Sequence, residues 1–503
     1  MQGFVENYLA DANMEVRGNK VIHECLWGTN LFERHEIALL DTPLVQRLRD
    51  IHQQGLGYLT FPTATHSRFD HTLGIMVQST RFAENVKERL ECLLSQKDIK
   101  LIRLAALLHD IGHCFFSHAS EETYALLPEM QQEFADGMEF KSNAPHEILT
   151  LRILRTERFR SFFKDIVEKY GLKDCSLEEI ETFIMGTTQP DFRYKADFIN
   201  GPFDADKIDY LFRDGRFSGL PMTIDLDRLW YSTLVDTLNI NGTAWNRLVI
   251  EDSGASSLEQ ILFNRVQLYP SMYHHQKVRA CLCMFKGVVE HIQKSEGDGI
   301  QVGRRKNIKF NKVVDFLWGS DSDFWAMGTQ RKPGDPVHDL VLGLQYRRLL
   351  KRAMMISRKT VEPNEGYNKL MECRHAKNVA AHQKLRDVAK HIWEEAKKAG
   401  IKCNPEEIWI DLPDPPKLKQ EINMAYVRFP DGKNPLVPLN DAIFPLSGWL
   451  NQYELHMWRG HVFVPPGTEN NIAKIVKGVM EEEFQQLKIH PEAFTRCHVQ
   501  PPT

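Results

Sequence analysis

Leu107-Leu108-His109-Asp110-Ile111-Gly112-His113-Cys114-Phe115-Phe116-Ser117-His118 is the stretch that decides how this 503-residue chain is read. Apolar residues at Leu101, Leu104, Ala105, Leu108 and Ile111 recur at helical spacing and predict a buried helix. His109 and Asp110 then stand at its C-terminal end, on a packed scaffold. Gly112 is expected to let the chain turn sharply, so that His113 and His118 face the same space. An imidazole beside a carboxylate is a ligand pair for Zn, Fe, Mn or similar ions. Taken alone, the pair reads more readily as a polar helix end with loop histidines beside it.

Three further stretches change that balance. His66-Ser67-Arg68-Phe69-Asp70-His71 lies upstream. His146-Glu147 opens an apolar-periodic helix through Ile148, Leu149, Leu151, Ile153 and Leu154. Asp204-Ala205-Asp206-Lys207-Ile208-Asp209-Tyr210-Leu211-Phe212-Arg213-Asp214 places charged groups around a hydrophobic frame. The order H…HD…D in a mostly helical chain resembles the HD superfamily of metal-dependent phosphohydrolases. The longer strings HSRFDHTLGI, LLHDIGHCFFSH and DADKIDYLFRD are similar to those of the deoxynucleoside triphosphate (dNTP) triphosphohydrolases, from about Lys20 to Lys277. No counterpart is legible for the sterile-alpha-motif domain of animal members. The fold expected is mainly α, a helical HD core with a small C-terminal α/β unit. Its expected divisions are a phosphohydrolase core over 1–290, a helical extension over 291–400 and the α/β region over 401–503.

The remaining pattern supports that division. Lys20-Val21-Ile22 begins a short strand or hairpin. Asp41-Thr42-Pro43 is a helix start, with a capping polar residue and a proline whose missing N–H costs nothing. Helices are expected over 44–51, 72–94, 98–111, 223–240, 258–289, 334–358, 375–399 and 469–488. Glycine and charge break the pattern at Ser295-Glu296-Gly297-Asp298-Gly299, followed by Arg304-Arg305-Lys306. Strand-like runs appear at Ile408-Trp409-Ile410, Ala425 to Phe429 and His461 to Val464, with Pro413, Pro415 and Pro416 marking a rigid turn.

Acidic and basic residues nearly cancel, 67 against 63, so net charge argues for neither nucleic acid nor membrane as partner. No apolar run approaches membrane-spanning length, and the first residues lack a signal-peptide pattern. The nine cysteines show no zinc-type pairing and read as reduced thiols. These features predict a cytoplasmic protein, with the nucleus left open.

The resemblance implies roles for individual residues. His71, His109, Asp110 and Asp206 would bind one divalent metal per active site. Fe, Mn, Zn, Ni and Mg are not distinguished by these ligands, and Mg is a further candidate to accompany the nucleotide. His118 would be the general acid, oriented by Glu121, where the family carries an aspartate. His113 and His146 match further active-site histidines. Arg68, Lys207 and Arg265 would grip phosphates, as cations suit, and Tyr210 would touch phosphate or sugar. Gln53 and Asp214 would read the sugar 3′-hydroxyl and Tyr273 would crowd the 2′ position. Gln54 replaces an apolar family residue there. Asp41, Gln46 and Arg49 match an allosteric nucleotide site between subunits, where His23 replaces an asparagine.

The activity implied is hydrolysis of dNTPs to deoxynucleoside and triphosphate. Its implied partners are a dNTP substrate, a GTP or dNTP activator and further copies of the chain in a homo-oligomer, with a tetramer favoured. Two alternatives stay open. The HD site could act on another nucleotide or nucleic-acid phosphoester, or the chain could sense nucleotides or bind nucleic acid through basic stretches such as Arg347 to Arg352.

Overall fold

The computed structural model describes residues 1–89, 94–135, 137–141, 143–295, 297, 299–303, 305–374, 377–415, 423–430, 436–442 and 446–502. Glu296, Asp298, Arg304 and Pro416, singled out above, lie outside the described residues, as do 90–93 and 375–376 at the ends of two expected helices. The fold is mainly α, with small sheets concentrated in the C-terminal part.

The helices Arg68–Arg89 and Gln96–Leu108 pack side by side, and Ala205–Ser218 crosses the first of them. Each start is written in the sequence. Ser95 accepts from the Asp98 backbone N–H while Asp98 reaches back to the Ser95 N–H, a reciprocal cap. Asp204 accepts from the Lys207 N–H at 2.8 Å. Leu101, Ile102, Leu104, Ala105 and Leu108 are all buried, so His109 and Asp110 leave a scaffold that cannot shift cheaply.

The chain carries four sheets among the described residues. Lys20–Glu24 pairs antiparallel with Gly28–Phe32. A four-stranded sheet runs in the order Leu436–Pro438, Tyr426–Arg428, Thr243–Glu251, Thr233–Ile240. A three-stranded antiparallel sheet sets Gly460–Val464 between Lys351–Ile356 and Trp409–Asp411. A short hairpin joins Ile300–Val302 to Arg305–Ile308. One hydrophobic core runs from Phe4 through Leu350, and a second fills the space between the three-stranded sheet and the helices Val379–Lys398 and Glu469–Glu483.

Several expected helices differ. Helix is confined to Leu226–Ser232, and Thr233–Ile240 is a strand. That segment alternates in polarity and ends in Asn241-Gly242, both at positive φ, the chemistry of a two-residue hairpin. The expected 334–358 helix stops at Gln345, because Lys351–Ile356 pairs with Gly460–Val464 instead. The expected 258–289 helix is interrupted by a π turn over Tyr269–Tyr273, which contains Pro270. The 44–51 helix is α only over Pro43–Gln46 and 3-10 over Arg47–Asp50. Its cap is Thr42, whose hydroxyl accepts from the Val45 N–H, and Asp41 ends the preceding helix. No helix among the described residues is long and apolar enough to cross a membrane.

Candidate active site and metal centre

His71 projects from the first turn of the Arg68–Arg89 helix and meets His109 and Asp110 at the end of Gln96–Leu108. Its Nε2 lies 3.0 Å from Asp206 Oδ1, in the first turn of Ala205–Ser218. The four residues expected to hold a metal therefore converge from three helices. His109 Nδ1 bonds the Ala106 carbonyl at 2.7 Å, which places its proton there and leaves Nε2 as a lone pair. That Nε2 is buried without a hydrogen-bond partner, 3.2 Å from Asp110 Oδ1. An orphaned imidazole nitrogen facing one carboxylate, with a second imidazole–carboxylate pair beside it, is the donor set a divalent cation satisfies, so the residues present fit a metal.

The ring of His71 is set by a residue the sequence reading missed. Asp209 Oδ2 accepts from His71 Nδ1 at 2.7 Å and is itself held by Arg213 at 2.8 and 2.9 Å. Trp27 Nε1 also donates to Asp209, and Glu24 braces Arg213 at 2.6 Å. Carboxylate support of this kind fixes the tautomer and raises ligand basicity. Gly74 makes the room: a Cβ there would lie 1.9 Å from Asp209 Oδ1. Burial works to lower the pKa of His71, yet hydrogen bonds to Asp206 and Asp209 push it up to about 9. Burial opposes ionisation of Asp206 as well, but His71 draws its pKa down to about 2. Asp110 is buried yet held well below the usual carboxylate range by the neighbouring His109 ring and Arg68 guanidinium.

A second cluster adjoins the first. Glu121 Oε1 stands 3.0 Å from His118 Nδ1, 2.9 Å from His146 Nδ1 and 3.3 Å from His113 Nδ1. The expected pairing of His118 with Glu121 is present, and Glu121 serves two more imidazoles besides. The chain turns at Gly112 as expected, with His113 and His118 facing the same carboxylate, though without a positive φ. Gly112 permits close approach: a Cβ would lie 2.3 Å from both the His146 carbonyl and the Thr150 nitrogen. Helix Pro145–Leu154 thus presses against Gly112, bringing His146 and His113 to a ring separation of 4.0 Å.

His118 opens its helix from a strained link. Phe116 and Ser117 both have φ of +53°, a conformation costly for non-glycine residues. Asp321, 205 residues away, accepts from the Phe116 N–H at 2.7 Å and from the His52 N–H at 2.8 Å. Ser117 Oγ donates to the His52 carbonyl at 2.6 Å and accepts from Arg68 Nε at 2.9 Å. Asp321 lies beyond the motif region, and no spacing signal pointed to it.

Both clusters open on one cavity of about 650 Å³. Arg68, Lys207, Tyr210 and Arg265 line it beside the metal residues, and Gln53, Asp214 and Tyr273 line it further along. Arg68 is buried, donates to Asp110, and lies 3.3 Å from His118 Nε2. Lys207 Nζ bonds Asp204 at 2.6 Å. Asp214 accepts from Tyr273 Oη at 2.7 Å, from His66 at 2.9 Å, and from Gln54 Nε2. Gln53 Oε1 is buried with no hydrogen-bond partner among the described residues. Residues of the C-terminal part, Arg386 and Trp409 among them, complete the wall.

Asp41, Gln46 and Arg49 lie outside this cavity's wall. Asp41 pairs with Lys20 at 2.6 Å on the surface. Gln46 bonds the Leu40 carbonyl at 2.8 Å and Arg49 at 2.7 Å, while the Arg49 guanidinium stacks 3.7 Å over Phe69.

The HD domain profile matches residues 68–181, and the HD associated region profile matches residues 227–488. The chain belongs to the HD-domain family. Its histidine and aspartate clusters fall within the HD match, except Asp206 and Asp209, which follow it. An uncharacterized protein of Methanocaldococcus jannaschii is 25% identical over 470 residues, covering 92% of this chain and 84% of its own length. The deoxynucleoside triphosphate triphosphohydrolase SAMHD1 homolog of Dictyostelium discoideum is 25% identical over 269 residues, 52% of this chain and 47% of that one. The deoxynucleoside triphosphate triphosphohydrolase SAMHD1 of Bos taurus is 28% identical over 271 residues, 51% and 45% of the two chains. The chain thus spans about half the length of these named triphosphohydrolases. HD domains bind a divalent metal, and the His71, His109, Asp110 cluster is able to hold one.

Proposed function

We propose that this HD-domain protein hydrolyses deoxynucleoside triphosphates to deoxynucleoside and triphosphate. The observation that carries the reading is one cavity whose wall joins His71, Asp110 and Asp206 to the His118–Glu121 pair and three cations. Three cations exceed what a single phosphodiester needs and suit a polyphosphate.

In this reading His71, His109, Asp110 and Asp206 hold one divalent ion. When bound, that ion polarises a phosphoryl oxygen and lowers the pKa of a water. Arg68, Lys207 and Arg265 neutralise the triphosphate, and Tyr210 contacts phosphate or sugar. Water adds to the α-phosphorus, the bond to O5′ breaks, and O5′ takes a proton from His118 Nε2. A sugar alkoxide is a poor leaving group, so that proton matters. Glu121 keeps the ring aimed through Nδ1 and stabilises the imidazolium before transfer. His113 and His146 share the same carboxylate and carry the proton onward. Gln53, whose amide oxygen is buried without a hydrogen-bond partner among the described residues, accepts from the 3′-hydroxyl with Asp214 beside it, and Tyr273 crowds the 2′ position.

We extend the proposal to regulation. Asp41, Gln46 and Arg49 form a surface group that binds GTP or a dNTP between copies of the chain in a homo-oligomer, a tetramer. The exposure of Asp41 and the hydrogen bond joining Gln46 to Arg49 support this. A nucleic-acid partner gains little from Arg347 to Arg352, since Arg347 bonds the Leu59 carbonyl and Arg352 lies in a strand. The test is a chromatographic panel of dNTPs, rNTPs and mononucleotides, each with Mg, Mn, Fe or Zn, with and without GTP. Triphosphate and deoxynucleoside in equal amounts are expected. Release of monophosphate, or turnover of mononucleotides alone, would refute the substrate assignment.

A further inference from the structure

Glu121 presents an arrangement beyond what orienting a single general acid requires. A general acid needs one carboxylate to orient one imidazole. Here three imidazoles turn Nδ1 toward the same oxygen, at 2.9, 3.0 and 3.3 Å. The ligand atoms of His113, His118, Glu121 and His146 all lie within 4.8 Å of one another. Metal–nitrogen bonds of about 2.0–2.1 Å in a tetrahedron imply ligand separations of roughly 3.3 Å. The Glu121 separations are of that size.

His113 supplies an independent observation. It is completely buried, and neither ring nitrogen has a hydrogen-bond partner among the described residues. An imidazole left so is costly unless something else occupies its lone pair. Its Nδ1 faces Glu121, while its Nε2 lies 3.4 Å from Asp110 Oδ1.

We propose that His113, His118, Glu121 and His146 form a second metal site, selective for a borderline ion such as Zn²⁺, and that its occupancy switches the enzyme off. Three nitrogen donors and one carboxylate select Zn²⁺, Co²⁺ or Ni²⁺ over Mg²⁺. The site is separate from the first, because the His113 ring stands between Glu121 and Asp110. The two ions are therefore not joined by a single carboxylate as a cocatalytic pair would be. His118 is the exposed member and lines the cavity, which gives the ion its entry. An ion on His118 Nδ1 replaces the proton that makes the ring an imidazolium, so Nε2 no longer has an acidic proton to give.

The existence of the site is independent of the dNTP reading, whereas the inhibitory consequence rests on it. Full-length protein is stripped with a chelator, loaded with excess Zn²⁺, desalted and analysed for zinc and protein. Two ions per chain are expected in the wild type and one in each of Asp206→Ala, Glu121→Gln and His146→Asn. Loading with Co²⁺ should give the visible absorption of a tetrahedral centre, lost in the last two variants only. Thermal melts check that each variant is folded. A single ion in the wild type, or a second ion surviving in both Glu121→Gln and His146→Asn, overturns the site. With dATP as substrate, the second equivalent of Zn²⁺ should lower kcat by roughly a hundredfold, the low end of a general acid's contribution. An unchanged kcat with two ions bound overturns the inhibition. Absence of hydrolysis at every loading would refute the dNTP assignment and leave the metal count to decide the site.

Discussion

Replacing Asp209 by Asn tests whether the metal centre depends on the support behind His71. The two carboxylate oxygens are fully used. Oδ2 takes His71 Nδ1 and Arg213 Nε, and Oδ1 takes Arg213 Nη2 and Trp27 Nε1. Every partner is a donor, so the amide NH₂ of Asn must face two donors whichever way it turns. Two buried donors lose their acceptor, at about 1–3 kcal/mol each, so unfolding free energy should fall by about 2–6 kcal/mol. Support of metal ligands is typically worth 10–100-fold in affinity, about 1.4–2.7 kcal/mol. Zn²⁺ affinity, measured by competition with a fluorescent chelator, should fall within that range. Gly74→Ala approaches the same carboxylate from the other side, since its Cβ would overlap Asp209 Oδ1, and should weaken the metal without touching any charge. Affinities within about twofold of wild type in both variants, with the fold intact by urea melt, would refute the argument.

Three further outcomes are expected. His109→Ala and Asp206→Ala should each lose the metal of the first site and all hydrolysis while the fold survives; wild-type metal at that site in both would sink the ligand assignment. His118→Ala should keep the first metal and bind dNTP but turn over at least about a hundredfold more slowly; near-normal kcat would move the acid to His113 or His146. Glu122 is buried, which raises its pKa, but Arg279 and Lys286 hold it well below the ordinary carboxylate value. A depressed folded-state pKa stabilises above the unfolded value near 4.5 and is lost as pH falls below it. Glu122→Gln should therefore cost more stability at pH 7 than at pH 4, read from urea midpoints, and an equal cost at both would contradict the pairing.

What the sequence made legible was local. Helical spacing from Leu101 to Ile111 placed His109 and Asp110 on a buried scaffold, and Ser95 and Asp204 announced their helix starts. The Asn241-Gly242 turn is equally readable, yet the apolar residues of 223–240 satisfy either period when read without it, and so also fit a helix. Asp209 follows Asp206 by one turn of the same helix, so its place behind the metal had a signal that went unused. Gly112 and Gly74 required partners the sequence does not display, since close approach is a property of two elements. Asp321 is the extreme case. It touches Phe116 across 205 residues, and no pattern within a window can reveal such a contact.

That contact bears on how the site is built. The helix His118–Tyr124, which carries His118 and Glu121, is seven residues long and starts from two strained residues. Strain of this order, about 1–3 kcal/mol per residue, persists only where the surroundings over-determine it. On one side Asp321 and Ser117 fix the entering backbone. On the other, Glu122 is bound by Lys286 and by Arg279 Nη1 at 2.9 Å, and Arg279 Nε in turn grips Asp411 at 2.9 Å in the three-stranded sheet. The core from Phe4 to Leu350 continues past residue 290 without a break and includes Trp409 and Phe463. The short helix is thus clamped from both flanks by residues of the HD associated region. The HD match brings His71, His109 and Asp110 together, and the region after it braces the helix that carries His118. A fragment ending near residue 290 would retain His71, His109, Asp110 and Asp206 but lose Asp321 and Asp411. Without those two carboxylates the Phe116 N–H loses its acceptor and Arg279 its brace, so that Ser117, still bonded to His52 and Arg68, is left as the main anchor of the link that aims His118.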